Sequence, residues 1–192
     1  MRLFVALDIP ESIRATLAQA CERLKPAAPD ARWVRPESQH LTLKFIGEQP
    51  EERLEQFKAA LAKVRAPATF KIQLSGLYFF PQKRYPRVLG VFVHPQEATA
   101  AMEALFKKIE FHLEPLGVEQ EGRGFRAHLT VARLDPRAKH DALDAALQAG
   151  PMRAEFGAFE TAEFHLYRSE LKRGGAVYTR LATFLFVEIR NP

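Results

Sequence analysis

Apolar positions fall into runs with strand-like alternation and runs with helical spacing, which divides the chain into an ordered series of elements. Residues 2–8 (Arg2-Leu3-Phe4-Val5-Ala6-Leu7-Asp8) read as a first strand, and Pro10-Glu11-Ser12 opens a helix to about Leu24. A proline-rich link leads into a strand around His40. Pro50-Glu51-Glu52 then starts a second helix to about Val64, and 70–79 returns as a strand ending at Pro81. The second half repeats this order: a strand at 88–93, a helix from about Gln96 to Leu113, a strand around His128, a helix near 139–148, and strands at about 159–167 and 177–188. Gly174-Gly175 lies between two strands and reads as a hairpin turn, since no strand-to-helix context for a phosphate loop follows. Segment 81–87 is the linker or crossover between approximate repeat halves 1–80 and 88–192. Gly117 to Gly124, with Arg123 and Arg126 nearby, reads either as a mobile rim or as an ordinary flexible loop.

Within this repeat, His40-Leu41-Thr42-Leu43 recurs as His128-Leu129-Thr130-Val131. At this composition, chance yields roughly a quarter of one His-x-Thr pair per chain, and the apolar flanks lower the odds further. Residues i and i+2 of a strand share a face, so Leu41 with Leu43, and Leu129 with Val131, point into a core. His40 with Thr42, and His128 with Thr130, point the other way. One such copy would pass as the solvated face of an ordinary strand. Two copies at matching places in a repeat suggest a duplicated unit with a pseudo-twofold axis that brings both motif strands to one cleft.

The bulk numbers narrow the setting. The chain has 192 residues, 47% hydrophobic and 27% charged, as expected of a single globular domain or two small lobes sharing a core. Its longest apolar runs are strand-sized, which predicts no membrane span. The charged first strand is no secretory signal, and a cytoplasmic location is expected. The one cysteine, Cys21, sits among apolar helix positions and reads as a small core residue. A net charge of +5 and a pI near 9.5 favour phosphorylated or polyanionic partners.

Histidine titrates near pH 6.5, so one ring can be neutral and its partner protonated near neutrality at little cost. Such a pair suits in-line displacement at phosphorus: one ring takes a proton from water while the other gives one to the leaving oxygen. The threonine hydroxyls can donate to non-bridging phosphate oxygens as charge builds. No metal or cofactor is required. There is no His-Glu-x-x-His, no carboxylate-rich cluster and no Walker loop. Lys44 and Arg126 share strand parity with the motif residues and are candidates for phosphate or RNA backbone. Arg133 has the opposite parity unless a bulge intervenes. Phe125 and Trp33 are either stacking surfaces for a base or core residues. His94, His112, His140 and His165 lack a threonine companion and read as surface or capped histidines.

The paired motifs resemble the signatures of the 2H phosphoesterase superfamily, particularly the bacterial and archaeal RNA 2′,3′-cyclic phosphodiesterases, also called 2′-5′ RNA ligases. Similar patterns cover nearly the whole chain: Arg2-Leu3-Phe4-Val5-Ala6-Leu7, Trp33-Val34, Lys44-Phe45-Ile46-Gly47, Phe125, Ala132-Arg133, and Ser169-x-Leu171 with Gly175 and Tyr178. Ala127 departs from the family's usual proline before the second histidine. The resemblance implies a bilobal α+β fold, with two antiparallel sheets flanked by helices and the motif strands facing a central groove. It also implies His40 as proton donor to the leaving 3′ oxygen, His128 as proton acceptor from water, and Thr42 and Thr130 as phosphate holders. Spacing alone treats the two histidines as equivalent. The implied activity is metal-independent hydrolysis of RNA 2′,3′-cyclic phosphate ends to a 2′-phosphate, with small cyclic nucleotides as other substrates and no obligate protein partner. Reverse 2′-5′ ligation belongs to the same chemistry. A noncatalytic RNA- or nucleotide-binding module is the competing reading, but it needs no paired titratable groups.

Overall fold

The computed structural model describes residues 1–65, 68–122, 124–173 and 175–186. Along them run β1 (Arg2–Leu7), α1 (Glu11–Leu24), β2 (Arg32–Trp33), β3 (Leu41–Glu48), α2 (Leu54–Leu61), β4 (Phe70–Phe80), β5 (Val88–His94), α3 (Gln96–Leu113), β6 (His128–Arg133), α4 (Asp141–Gln148), β7 (Glu155–Thr161), β8 (Glu163–Lys172) and β9 (Gly175–Leu185). The helices form because apolar residues recur every three or four positions. α1 buries Ile13, Leu17, Cys21 and Leu24, and α3 buries Met102, Leu105, Phe106, Ile109 and Leu113. They cover the sheet face to which Leu3, Val5, Leu7, Leu41, Val91 and Leu129 contribute. Each such side chain stabilises the fold by about 1.5–3 kcal/mol. Cys21 is the core residue expected, and burial pushes its thiol pKa up to about 12. Among the described residues, no helix is long and apolar enough to cross a membrane.

The antiparallel strand order is β7-β4-β5-β6-β3-β1-β8-β9, with β2 added to β6. It reads as two four-stranded halves joined where Leu41 of β3 pairs with Leu129 of β6. Those two leucines hold the same place in the two motifs, so the pseudo-twofold axis passes beside this pair. The two expected antiparallel sheets are therefore continuous, and the motif strands are neighbours at its centre. The repeats also exchange strands: β4 of the first pairs with β5 of the second, while β8 of the second returns to β1.

Two expected elements need correction. The single strand at 159–167 is two strands, because the chain leaves β4's flank at Ala162 and crosses to β1's. Neither glycine nor proline marks that break; the sequence carries only a one-residue slip in the alternation, from Phe159 to Ala162, Phe164 and Leu166. The expected helix from Pro50 begins as a 3₁₀ turn over Glu51–Arg53 and is α-helical only from Leu54 to Leu61. Gly174 of the predicted hairpin turn, and positions 187 and 188 of the last predicted strand, lie outside the described residues.

Candidate active site

The Leu41–Leu129 pair fixes the site. In an antiparallel ladder centred there, His40 falls beside Thr130 and Thr42 beside His128, all on the face opposite the buried leucines. All four side chains remain partly exposed. The rings are oriented alike: Nδ1 of His40 lies 2.9 Å from the Ser38 carbonyl, and Nδ1 of His128 lies 2.8 Å from that of Arg126. A carbonyl only accepts, so each Nδ1 carries a proton. Each Nε2 is thus an acceptor in the neutral ring and a donor in the charged one.

Matching bulges decide which neighbours join the groove. Val5 and Ala6 pair with Lys44 and Thr42, skipping Leu43; Leu89 and Gly90 pair with Ala132 and Thr130, skipping Val131. One extra residue reverses parity beyond it. Phe45 and Arg133, each five residues past a motif histidine, consequently share the motif face. Phe45 is 55% exposed. Arg133 lies near enough to His40 for its charge to bear on that ring. For Arg133 the bulge settles the parity in favour of the site; Phe45 was not foreseen, because a bulge leaves no signal in the alternation itself.

Lys44 turns the other way, against its expected role as a phosphate or RNA ligand. It is 4% exposed, with Nζ 2.5 Å from Glu110 Oε1 and 2.7 Å from the Glu119 carbonyl. Glu110 also accepts the Glu121 N–H at 2.6 Å, so the segment before the second motif is tied to β3 and α3. Arg123 of that segment lies outside the described residues. Phe125 stacks on Phe106 of α3, with centroids 5.1 Å apart, and packs against the core instead of offering a face to a base. Trp33 packs against the core too, its Nε1–H donating to the Ala28 carbonyl. Arg126 stays at the site, its guanidinium 4.9 Å from the Phe80 ring centroid.

Aromatic residues from distant strands complete the walls. His40 lies 4.8 Å from Phe4 and meets Tyr178 edge-on at 5.1 Å; His128 stacks on Phe80 at 4.3 Å. Phe80 and the network around Asp8 escaped sequence reasoning because only the strand exchange brings them to the motifs. Asp8 accepts from Tyr167 Oη at 2.6 Å and from Arg180. His165, expected at the surface or in a cap, is buried and held by Thr183 at 3.1 Å.

Burial governs both motif histidines. It lowers His40 from the ordinary 6.5 to about 4; the Ser38 carbonyl and Asp8 oppose the shift, while Arg133 and Arg14 reinforce it. His128 is lowered as well, by burial and by the Arg126 charge, against its carbonyl bond. Both shifts favour the neutral ring, so protonating either one costs more than the ordinary imidazole pKa implies.

A duplicated His-x-Thr strand pair meeting on a pseudo-twofold axis, with both rings braced by main-chain carbonyls and arginines alongside, defines a 2H phosphoesterase. The chain belongs to the family described as LigT-like phosphoesterase, whose model matches it twice, over residues 7–90 and 91–178. Among its relatives, a protein of Thermus thermophilus named RNA 2′,3′-cyclic phosphodiesterase is 35% identical, covering 96% of this chain and 89% of that one. A Methanothermobacter thermautotrophicus protein of the same name is 30% identical, over 96% and 98%. A T. thermophilus crystal structure superposes with a TM-score of 0.75 at 32% identity, covering 99% of this chain and 100% of that one. Escherichia coli LigT complexed with 3′-AMP gives 0.76 at 25%, over 97% and 98%.

Proposed function

We propose that the protein hydrolyses 2′,3′-cyclic phosphate ends of RNA to a terminal 2′-phosphate, with protein side chains supplying every proton transfer. The observation that carries this reading is the identical bracing of two rings whose Nε2 atoms take no hydrogen bond among the described residues, on the strand face that also carries Thr42 and Thr130. His128 Nε2 takes a proton from water as its oxygen attacks phosphorus. The P–O3′ bond breaks, and protonated His40 gives its Nε2 proton to the departing oxygen. Thr42 and Thr130 donate to the non-bridging oxygens, and Arg133 and Arg126 offset their charge. Phe45 offers a flat apolar surface on the same face. The relatives' shared name and the 3′-AMP complex of LigT support this substrate class.

The test is an RNA oligonucleotide ending in a 2′,3′-cyclic phosphate, incubated with the protein in excess EDTA. Steady formation of a 2′-phosphate end is expected. Loss of turnover with chelator and its return with one divalent ion would remove the two-histidine mechanism, and a 3′-phosphate product would reverse the assigned bond cleavage.

The depressed histidines set a pH dependence. In the free protein His40 is protonated only toward pH 4, so kcat/KM, which reports free enzyme, should decline as pH rises above the pair's low range. A bound phosphate monoanion favours the imidazolium and raises the pair, so kcat should hold to higher pH. Both profiles are bells, with that of kcat displaced upward. Superimposable profiles would show that substrate does not reprotonate the site.

A further inference from the structure

The two halves of the groove are related by the pseudo-twofold axis but present different chemistry. Strand register equates Tyr167 with Phe80, His165 with Tyr78, and Asp8, just past β1, with Phe92. On the His40 side Asp8 accepts from Tyr167 and Arg180, and His165 shares a hydrogen bond with Thr183. On the His128 side they form a series of rings. Phe80 stacks on His128, Tyr78 meets Phe80 edge-on at 6.2 Å, and Phe92 stacks on Tyr78 at 3.7 Å with 11° between planes. Phe92 is 40% exposed, directly across from His128 in the β5–β6 pairing, with the His94 ring 6.0 Å beyond it.

Glycine makes room for this series. A Cβ at Gly90, between Tyr78 and Thr130 in the register, would stand 3.3 Å from the Tyr78 ring. Gly76, at φ +61°, would bring one to 3.2 Å from Phe92 and 2.7 Å from the Met152 carbonyl. Cations stand on both sides: Arg14 and Arg133 act on the His40 ring, and Arg126 acts on the His128 ring. Arg126 lies over Phe80, and the exposed segment that continues from Phe80 carries Lys83, Arg84 and Arg87, of which Lys83 pairs with Asp144. The cavity of about 50 Å³ beside His40 is lined by Asp8 and Glu37 as well as Arg14.

Partly exposed rings flanked by cations match single-stranded RNA, whose bases stack on aromatic faces while its phosphates meet basic side chains. We propose that Phe80, Tyr78 and Phe92 form a second nucleotide subsite, which stacks the base 5′ to the reacting nucleotide. Arg126 and the basic segment after Phe80 take the phosphodiester between the two nucleotides. This rests on the hydrolase reading above and narrows its substrate to an oligonucleotide end, as opposed to a free cyclic mononucleotide.

The experiment compares kcat/KM for a dinucleotide and a mononucleotide, each ending in a 2′,3′-cyclic phosphate, in the native protein, Phe92→Ala and Phe92→Tyr. Their ratio is read, because a partly unfolded variant loses both rates alike. Stacking one base on an aromatic ring should give the dinucleotide an advantage of about tenfold or more. Phe92→Ala should bring the ratio toward one, and Phe92→Tyr should keep it. A native ratio near one, or one that Phe92→Ala leaves intact, overturns the subsite while the hydrolase reading stands. Absence of turnover on both substrates overturns the hydrolase reading. The subsite is then decided by titrating labelled di- and mononucleotides that end in a 2′-phosphate: the same ratio is expected in Kd, and equal Kd values for native protein and Phe92→Ala overturn it.

Discussion

Replacing His128 by alanine should lower hydrolysis of an RNA 2′,3′-cyclic phosphate by about 10²–10⁴-fold, and no change of leaving group should restore it. His40→Ala should cause a loss of the same order on the natural end but respond differently to chemistry at the 3′ position. An alkoxide leaves only with a proton, whereas sulfur, with a thiol pKa near 8.5, leaves as the thiolate. A substrate with sulfur at the bridging 3′ position keeps the shape of the natural one and removes the need for a general acid. It should recover most of the rate in His40→Ala and little in His128→Ala, where water still lacks a base. Both variants should fold, since each ring is partly exposed and the one hydrogen bond it makes among the described residues is to a main-chain carbonyl. Circular dichroism and a melting curve check this. Rescue of His128→Ala instead would exchange the two roles. Near-native rates for either variant on the natural end would end the two-histidine mechanism. The assignment needs this test because the bracing is symmetric, while the surroundings are not: Phe4, Tyr178 and Arg133 lie about one ring, Phe80 and Arg126 about the other.

What could be read in advance follows from the range of the forces involved. The helices and the motif strands are written in local periodicity, and apart from the 3₁₀ start and shorter extent of the helix after Pro50 they appear where it places them. The pairing of Leu41 with Leu129 and the exchange of β4 and β8 between repeats arise from long-range register, which no local pattern encodes. Arg133 and Lys44 show the limit most clearly. Simple alternation puts Lys44 in the groove and Arg133 outside it, and a single skipped residue in each strand reverses both. The break at Ala162 leaves only a one-residue slip in the apolar rhythm, from Phe159 to Ala162, Phe164 and Leu166, which resembles a bulge within one strand as much as a crossing between two. Histidine protonation was hidden as well, because burial, the first cause of both shifts, is a property of the assembled walls.

Lys44→Met should be the most destabilising substitution among the residues discussed, even though it removes no catalytic group. The change leaves the Glu110 carboxylate, with a side chain 12% exposed, without its cation, and it frees the Glu119 carbonyl that anchors the segment leading to Arg126. Breaking one partner of a buried pair costs on the order of 3–5 kcal/mol, whereas replacing both partners by apolar residues is often close to neutral. Lys44→Met with Glu110→Met should therefore regain most of the loss, read as the midpoint of denaturant unfolding at unchanged slope. The carbonyl of Arg126 orients His128 at the end of that same segment, so a loosened anchor misplaces the base. The single variant, assayed where it remains folded, should lose kcat as well as stability. A loss of less than about 1 kcal/mol for Lys44→Met would put the pair with exposed surface salt bridges. Equal losses in the single and double variants would trace the effect to the lysine's packing instead of to the charge it neutralises.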